Sequence, residues 1–147
     1  MKRQYFNGTC FKYFFKNPRF NTIVFIHGLG LNQDVWSWQI SLFKNHNVLT
    51  YDLLGHGDSK DPEGEISLSL FADQLLQIIS HIKLEKIILI GFSLGSMVSR
   101  KFSSLHPTIV EALVLLNSPN RLLDQERDEI LERAMLLKDK GPKYTTD

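Results

Sequence analysis

Ser93 has the setting of a reactive side chain. It stands in Gly91-Phe92-Ser93-Leu94-Gly95, directly after the apolar run Lys86-Ile87-Ile88-Leu89-Ile90. A serine with glycines two before and two after it, between a strand and a helix, fits a nucleophile elbow. Such a turn lifts the hydroxyl clear of the sheet edge, and the small neighbours let other backbone pass close by. The helix is credible because residues 94–105 contain no glycine after Gly95 and no proline before Pro107. A serine hydroxyl is a weak nucleophile, so it needs a base to take its proton and N–H donors to hold the oxyanion formed on attack. Leu94, just past the nucleophile at the start of the helix, offers one such N–H with the helix dipole aligned favourably.

Two upstream segments belong with the elbow. Thr22-Ile23-Val24-Phe25-Ile26 followed by His27-Gly28-Leu29-Gly30 reads as a buried strand ending in a glycine-rich loop. Val48-Leu49-Thr50-Tyr51-Asp52 followed by Leu53-Leu54-Gly55-His56-Gly57-Asp58-Ser59 reads as a second strand with a glycine-punctuated turn. In this order and spacing, H-G-L-G, D-L-L-G-H-G-D-S and G-F-S-L-G-S-M resemble the alpha/beta-hydrolase superfamily, particularly its small esterase and enol-lactonase-like members. The resemblance runs from about residue 5 to residue 119 and implies Ser93 as nucleophile. It implies the N–H of Leu29 as the second oxyanion donor beside Leu94, and hydrolysis of a small ester or lactone through an acyl-serine, without metal or organic cofactor. Phe92, Met97, Trp36 and Trp38 lie where an acyl pocket would be, with core packing as the competing role.

The superfamily order is serine, then acid, then histidine. After Ser93 the only histidine is His106, at the far end of the predicted helix, about 18–20 Å away at ~1.5 Å per residue. His81 closes another predicted helix, and the superfamily pattern gives His27 and His56 loop-shaping roles. Where some members carry the acid, after the strand 112–116, this chain has Asn117 and Ser118. Asp124 reads as a first-turn acid favourable to a helix dipole. No complete triad assembles from these residues, so the expectation is the front portion of a longer hydrolase, inactive on its own. A non-hydrolytic relative, such as a lyase or acyltransferase, and a catalytically dead binding or scaffold protein are the alternatives.

The elements that must hold these residues follow an alternating pattern. Asn7-Gly8 between aromatic-rich flanks predicts an antiparallel hairpin with a type I′ turn. Apolar residues at 35, 36, 38, 40, 42 and 43 suggest a helix over 34–43, and those at 68, 71, 72, 75, 76 and 79 follow the helical period closely. Strands near 23–26, 48–51, 87–90 and 112–116 separate them. The fold class expected is α/β: a mostly parallel sheet of alpha/beta-hydrolase type with helices on both faces, an antiparallel N-terminal hairpin, and the last strands lacking. Residues 1–120 form its core. Residues 121–147 form a helical segment whose leucines alternate with charges before Gly141-Pro142, read as the start of a cap.

Composition sets outer bounds. The 147 residues are 43% hydrophobic and 22% charged, ordinary for one globular domain. Seventeen basic against sixteen acidic side chains, with no basic block beyond Lys2-Arg3, suggest no nucleic-acid partner. Cys10 is the only cysteine, so no intrachain disulfide forms, which is compatible with a reducing cytoplasm. No apolar h-region follows the N-terminal basic residues and no window of about 18 apolar residues exists, so neither a secretion signal nor a membrane partner is expected. A strand left at the sheet edge would favour self-association.

Overall fold

The computed structural model describes residues 2–118. Strands β1 (Gln4–Phe6) and β2 (Thr9–Phe14) make the predicted hairpin, and both turn residues, Asn7 and Gly8, have the positive φ that a type I′ turn requires. Next come β3 (Thr22–Ile26), a 3-10 turn (Gln33–Trp36), the one-turn helix α1 (Ser37–Ile40) and β4 (Asn47–Tyr51). Helix α2 (Leu68–His81), β5 (Ile87–Phe92), α3 (Leu94–Leu105) and β6 (Val110–Leu116) complete the described chain. The sheet order is β1-β2-β4-β3-β5-β6. The hairpin joins antiparallel through β2 and β4, and the remaining pairs are parallel.

Because side chains alternate across a strand, the two faces of β3 feed two cores. Val24 and Ile26 join Leu49, Tyr51 and Leu89 beneath α2 and α3, which contribute Phe71, Leu75, Ile78, Ile79, Val98 and Phe102. Ile23 and Phe25 face the other way with Val48, under Trp36, Ile40 and Phe43. This second face carries the lighter cover among the described residues: Ile88, Ile90 and Phe92 are only half-buried.

The segment after β3 departs from the single helix expected over 34–43. Asn32 accepts from the Asp34 N–H and starts a 3-10 turn, which passes into α1 for one turn only. Trp36, Ile40 and Phe43 pack inward, whereas Val35, Trp38 and Leu42 are exposed. Half of the proposed apolar face therefore meets no core among the described residues, and a helix this short draws its stability from packing. Helix α2 follows its predicted phase, with Ser67 as N-cap accepting from Leu70 N–H at 3.2 Å. Strand β6 begins two residues before the expected 112 and lies at the sheet edge, with Leu113, Val114, Leu115 and Leu116 each 37–41% exposed. The cap segment 121–147 and Asp124 lie outside the described residues.

Candidate active site

β5 (Ile87–Phe92) ends directly at Ser93, and α3 begins at the next residue, so the chain must turn sharply at the serine. Ser93 takes φ +51° and ψ −114°, a region that side chains other than glycine rarely occupy. Its backbone is fully engaged. The N–H donates to the Leu116 carbonyl at 2.9 Å, tying the elbow to the end of β6, and the carbonyl accepts from the N–H groups of Ser96 and Met97 in the first turn of α3. The side chain, although at the N-cap position, makes no capping hydrogen bond. The half-buried hydroxyl is thus left for other partners.

Both flanking glycines are dictated by contact. A Cβ on Gly91 would collide with the Gly95 carbonyl and with Ser99 Oγ; one on Gly95 would collide with the carbonyls of Ile26 and His27. The first turn of α3 therefore presses directly on the end of β3. Gly28 closes the same junction, since a Cβ there would sit 3.0 Å from the Phe92 ring. The loop carrying Leu29 is in this way packed against the residue preceding Ser93. Leu29 is 75% exposed, in a turn closed by the Leu31 N–H donating to Gly28 O at 3.2 Å. Leu94 is the first residue of α3, so its N–H has no acceptor within the helix.

His27 is fully buried. Its Nε2 accepts from the Leu53 N–H at 3.0 Å, which leaves the proton of the neutral ring on Nδ1, 2.8 Å from the Gly28 carbonyl. Desolvation lowers its pKa below the ordinary value. His56, 5.3 Å away between ring centroids, has Nδ1 3.1 Å from the Leu54 carbonyl. His81 stacks on Phe6 at 3.9 Å, and His106 ends α3 beside Phe102. Among the described residues no histidine is hydrogen-bonded to the Ser93 hydroxyl.

The proposed pocket residues separate. Phe92 and Met97 are half-buried near the elbow, while Trp36, 5% exposed, packs on Phe25 with ring centroids 5.0 Å apart. Trp38 is 84% exposed, so the core role weighed for it is corrected: α1 turns it away from the sheet.

A buried polar network behind the site was not singled out in the sequence. Asp52 accepts from the Gln33 N–H (2.7 Å), Gln33 Nε2 (3.0 Å) and the Asp58 N–H (3.0 Å). Gln74 donates to the Asp52 carbonyl and to Thr9 Oγ1 and accepts from the Leu54 N–H. The available signal was Gln74 itself, a polar residue on the buried side of α2. Cys10, Asp52 and Asp58 bring potential metal-ligand atoms together. Asp52 is nevertheless occupied by N–H donors, Asp58 pairs with Arg3 at 3.0 Å, and burial raises the Cys10 thiol pKa. A structural network accounts for the cluster.

A family model described as the alpha/beta hydrolase fold matches residues 21–137. The chain is 29% identical over 127 residues to the (E)-2-((N-methylformamido)methylene)succinate hydrolase of Acinetobacter baylyi, covering 86% of this chain and 48% of that protein. It thus spans about half the length of this curated relative. It superimposes on a thermophilic esterase from Thermogutta terrifontis with a TM-score of 0.81 at 26% identity, covering 92% of this chain and 50% of the esterase. The enol-lactonase from Burkholderia xenovorans LB400 shares the fold at a TM-score of 0.77 and 23% identity, over 95% of this chain and 55% of the lactonase.

Proposed function

The chain belongs to the alpha/beta hydrolase fold family, and from that premise we propose that it carries the nucleophile half of a serine hydrolase acting on a small ester or lactone. The observation that carries the reading is Ser93: a strained strand-to-helix residue whose backbone is fully bonded and whose hydroxyl caps nothing. In the proposed reaction Ser93 Oγ attacks the acyl carbon while a base takes the hydroxyl proton. The carbonyl becomes an oxyanion held by the N–H groups of Leu29 and Leu94, and its collapse expels the alkoxide, which takes up a proton. Water then releases the acid by the same steps.

Phe92 and Met97 border this path and would contact the acyl group. No base is named among the described residues, because His27 is committed at both nitrogens and His106 lies at the other end of α3. The segment 121–147 is read as the start of a cap over the site.

Exposure to an alkyl fluorophosphonate tests this reading. Ser93 Oγ should displace fluoride from phosphorus and gain the phosphonyl mass, faster when imidazole is added as an external base. Ser93→Ala should stay unmodified. A wild-type chain unmodified at Ser93 with and without imidazole would overturn it.

A further inference from the structure

We infer that His27 is a positioning residue for the oxyanion donor of Leu29, acting through the peptide that joins Gly28 to Leu29. The inference rests on the reading of Leu29 as a donor to the reacting oxygen. In a trans peptide the carbonyl of one residue and the N–H of the next point in opposite directions in one rigid plane. Whatever fixes the Gly28 carbonyl therefore fixes the Leu29 N–H.

Two donors fix it: His27 Nδ1 at 2.8 Å and the Leu31 N–H at 3.2 Å. The second bond belongs to the exposed turn itself and would move with it. The first comes from a fully buried ring, held from behind by the Leu53 N–H at 3.0 Å. Leu53 follows Asp52, whose carboxylate is clamped by Gln33 and the Asp58 N–H and whose carbonyl accepts from Gln74 and Ser59 Oγ. The chain of bonds thus runs from the buried network behind β4, through one imidazole, into the plane of the peptide that carries the donor.

The ring can play this part in one protonation state only. A proton on Nε2 would face the Leu53 N–H donor to donor, so the link requires the neutral ring with its hydrogen on Nδ1. The charged or titratable groups facing it are His56 and Asp52. Sterics support the assignment, because Gly28 packs on Phe92 and Gly95 on the His27 carbonyl, which leaves the anchored peptide beside the elbow.

Asparagine and glutamine divide the two bonds. In His27→Asn the side-chain amide reaches the position of Nδ1 and keeps a donor to the Gly28 carbonyl. In His27→Gln the side-chain oxygen reaches the position of Nε2 and keeps the tie to Leu53 instead. A long-range proton–nitrogen NMR spectrum of the wild type should show His27 neutral with Nδ1 protonated at pH 7. The Leu29 amide resonance should stay in place in His27→Asn and shift in His27→Gln, with Leu53 showing the reverse. Phosphonylation of Ser93 should stay within about threefold of wild type in His27→Asn and slow about tenfold or more in His27→Gln.

An Nε2-protonated or charged ring in the wild type overturns the inference without any variant. So does a Leu29 resonance that responds equally to both substitutions, or equal phosphonylation rates in the two. If wild-type Ser93 is never phosphonylated, the hydrolase reading fails, while the tautomer and the Leu29 resonance still decide whether His27 anchors the peptide.

Discussion

Ser93 adopts a conformation that costs about 1–3 kcal/mol for a residue bearing a Cβ. Ser93→Gly should therefore stabilise the fold by about 1 kcal/mol, even after the greater entropy of glycine in the unfolded chain, while removing the proposed nucleophile. A urea midpoint that falls instead would show that the elbow is unstrained. Gly95→Ala should have the opposite effect, losing about 3 kcal/mol because the new methyl meets backbone carbonyls that cannot rotate aside. His27 adds a pH dependence. Burial holds its imidazole below the unfolded value of about 6.5, so just below that pH the unfolded chain binds more protons than the folded one. The resulting stability is complete above about pH 6.5 and is lost as pH falls toward the folded pKa. Urea midpoints across this window should fall more steeply for wild type than for His27→Gln. Parallel slopes would sink the claim. At this scale the sequence was informative about Ser93 and its two glycines, since a strand, a serine and a helix leave few other turns. For His27 the resemblance implied a loop-shaping role but not its partners, because a histidine's bonds depend on carbonyls and N–H groups brought to it from elsewhere in the chain.

Elements were legible in proportion to how completely their periodicity was matched by burial. Helix α2 and strands β3 to β5 carry patterns that tertiary packing enforces, and their positions were readable to within a few residues. The region 33–43 was not, because its pattern combined residues that pack on Phe25 with residues that face outward, which composition alone does not distinguish. The polar network around Asp52 escaped for a related reason: its partners are far apart in sequence and ordinary in type. Asp52 nonetheless locks β4 to the loop after β3 and to the turn at Asp58. Asp52→Asn sets an amide among three N–H donors and should lower stability by about 2 kcal/mol, measured as a shift in the denaturant midpoint with an unchanged slope. A shift under a few tenths of a kcal/mol would mean that the loops are held by other contacts.

At the scale of the whole molecule, β6 decides how the chain behaves in solution. Its outer edge has no strand partner among the described residues, and its apolar side chains are partly open on both faces. Residues 1–147 by themselves should self-associate in a concentration-dependent way and turn over a small aryl ester only at a trace rate. Sizing across a concentration series, with Ser93→Ala as the activity control, checks both. A monodisperse monomer, or brisk turnover that vanishes in Ser93→Ala, would contradict the corresponding expectation. The strand order also bears on synthesis at the ribosome. β3 lies in the middle of the sheet, yet its partner β5 follows about sixty residues later in the chain. At about 5–20 residues per second, a nascent chain carries one open edge of this apolar strand for several seconds before β5 is translated. Through that interval the central strand is a target for holdase chaperones, and the elbow serine cannot be set in place until the ribosome has passed β6, whose last residue supplies the carbonyl that Ser93 grips.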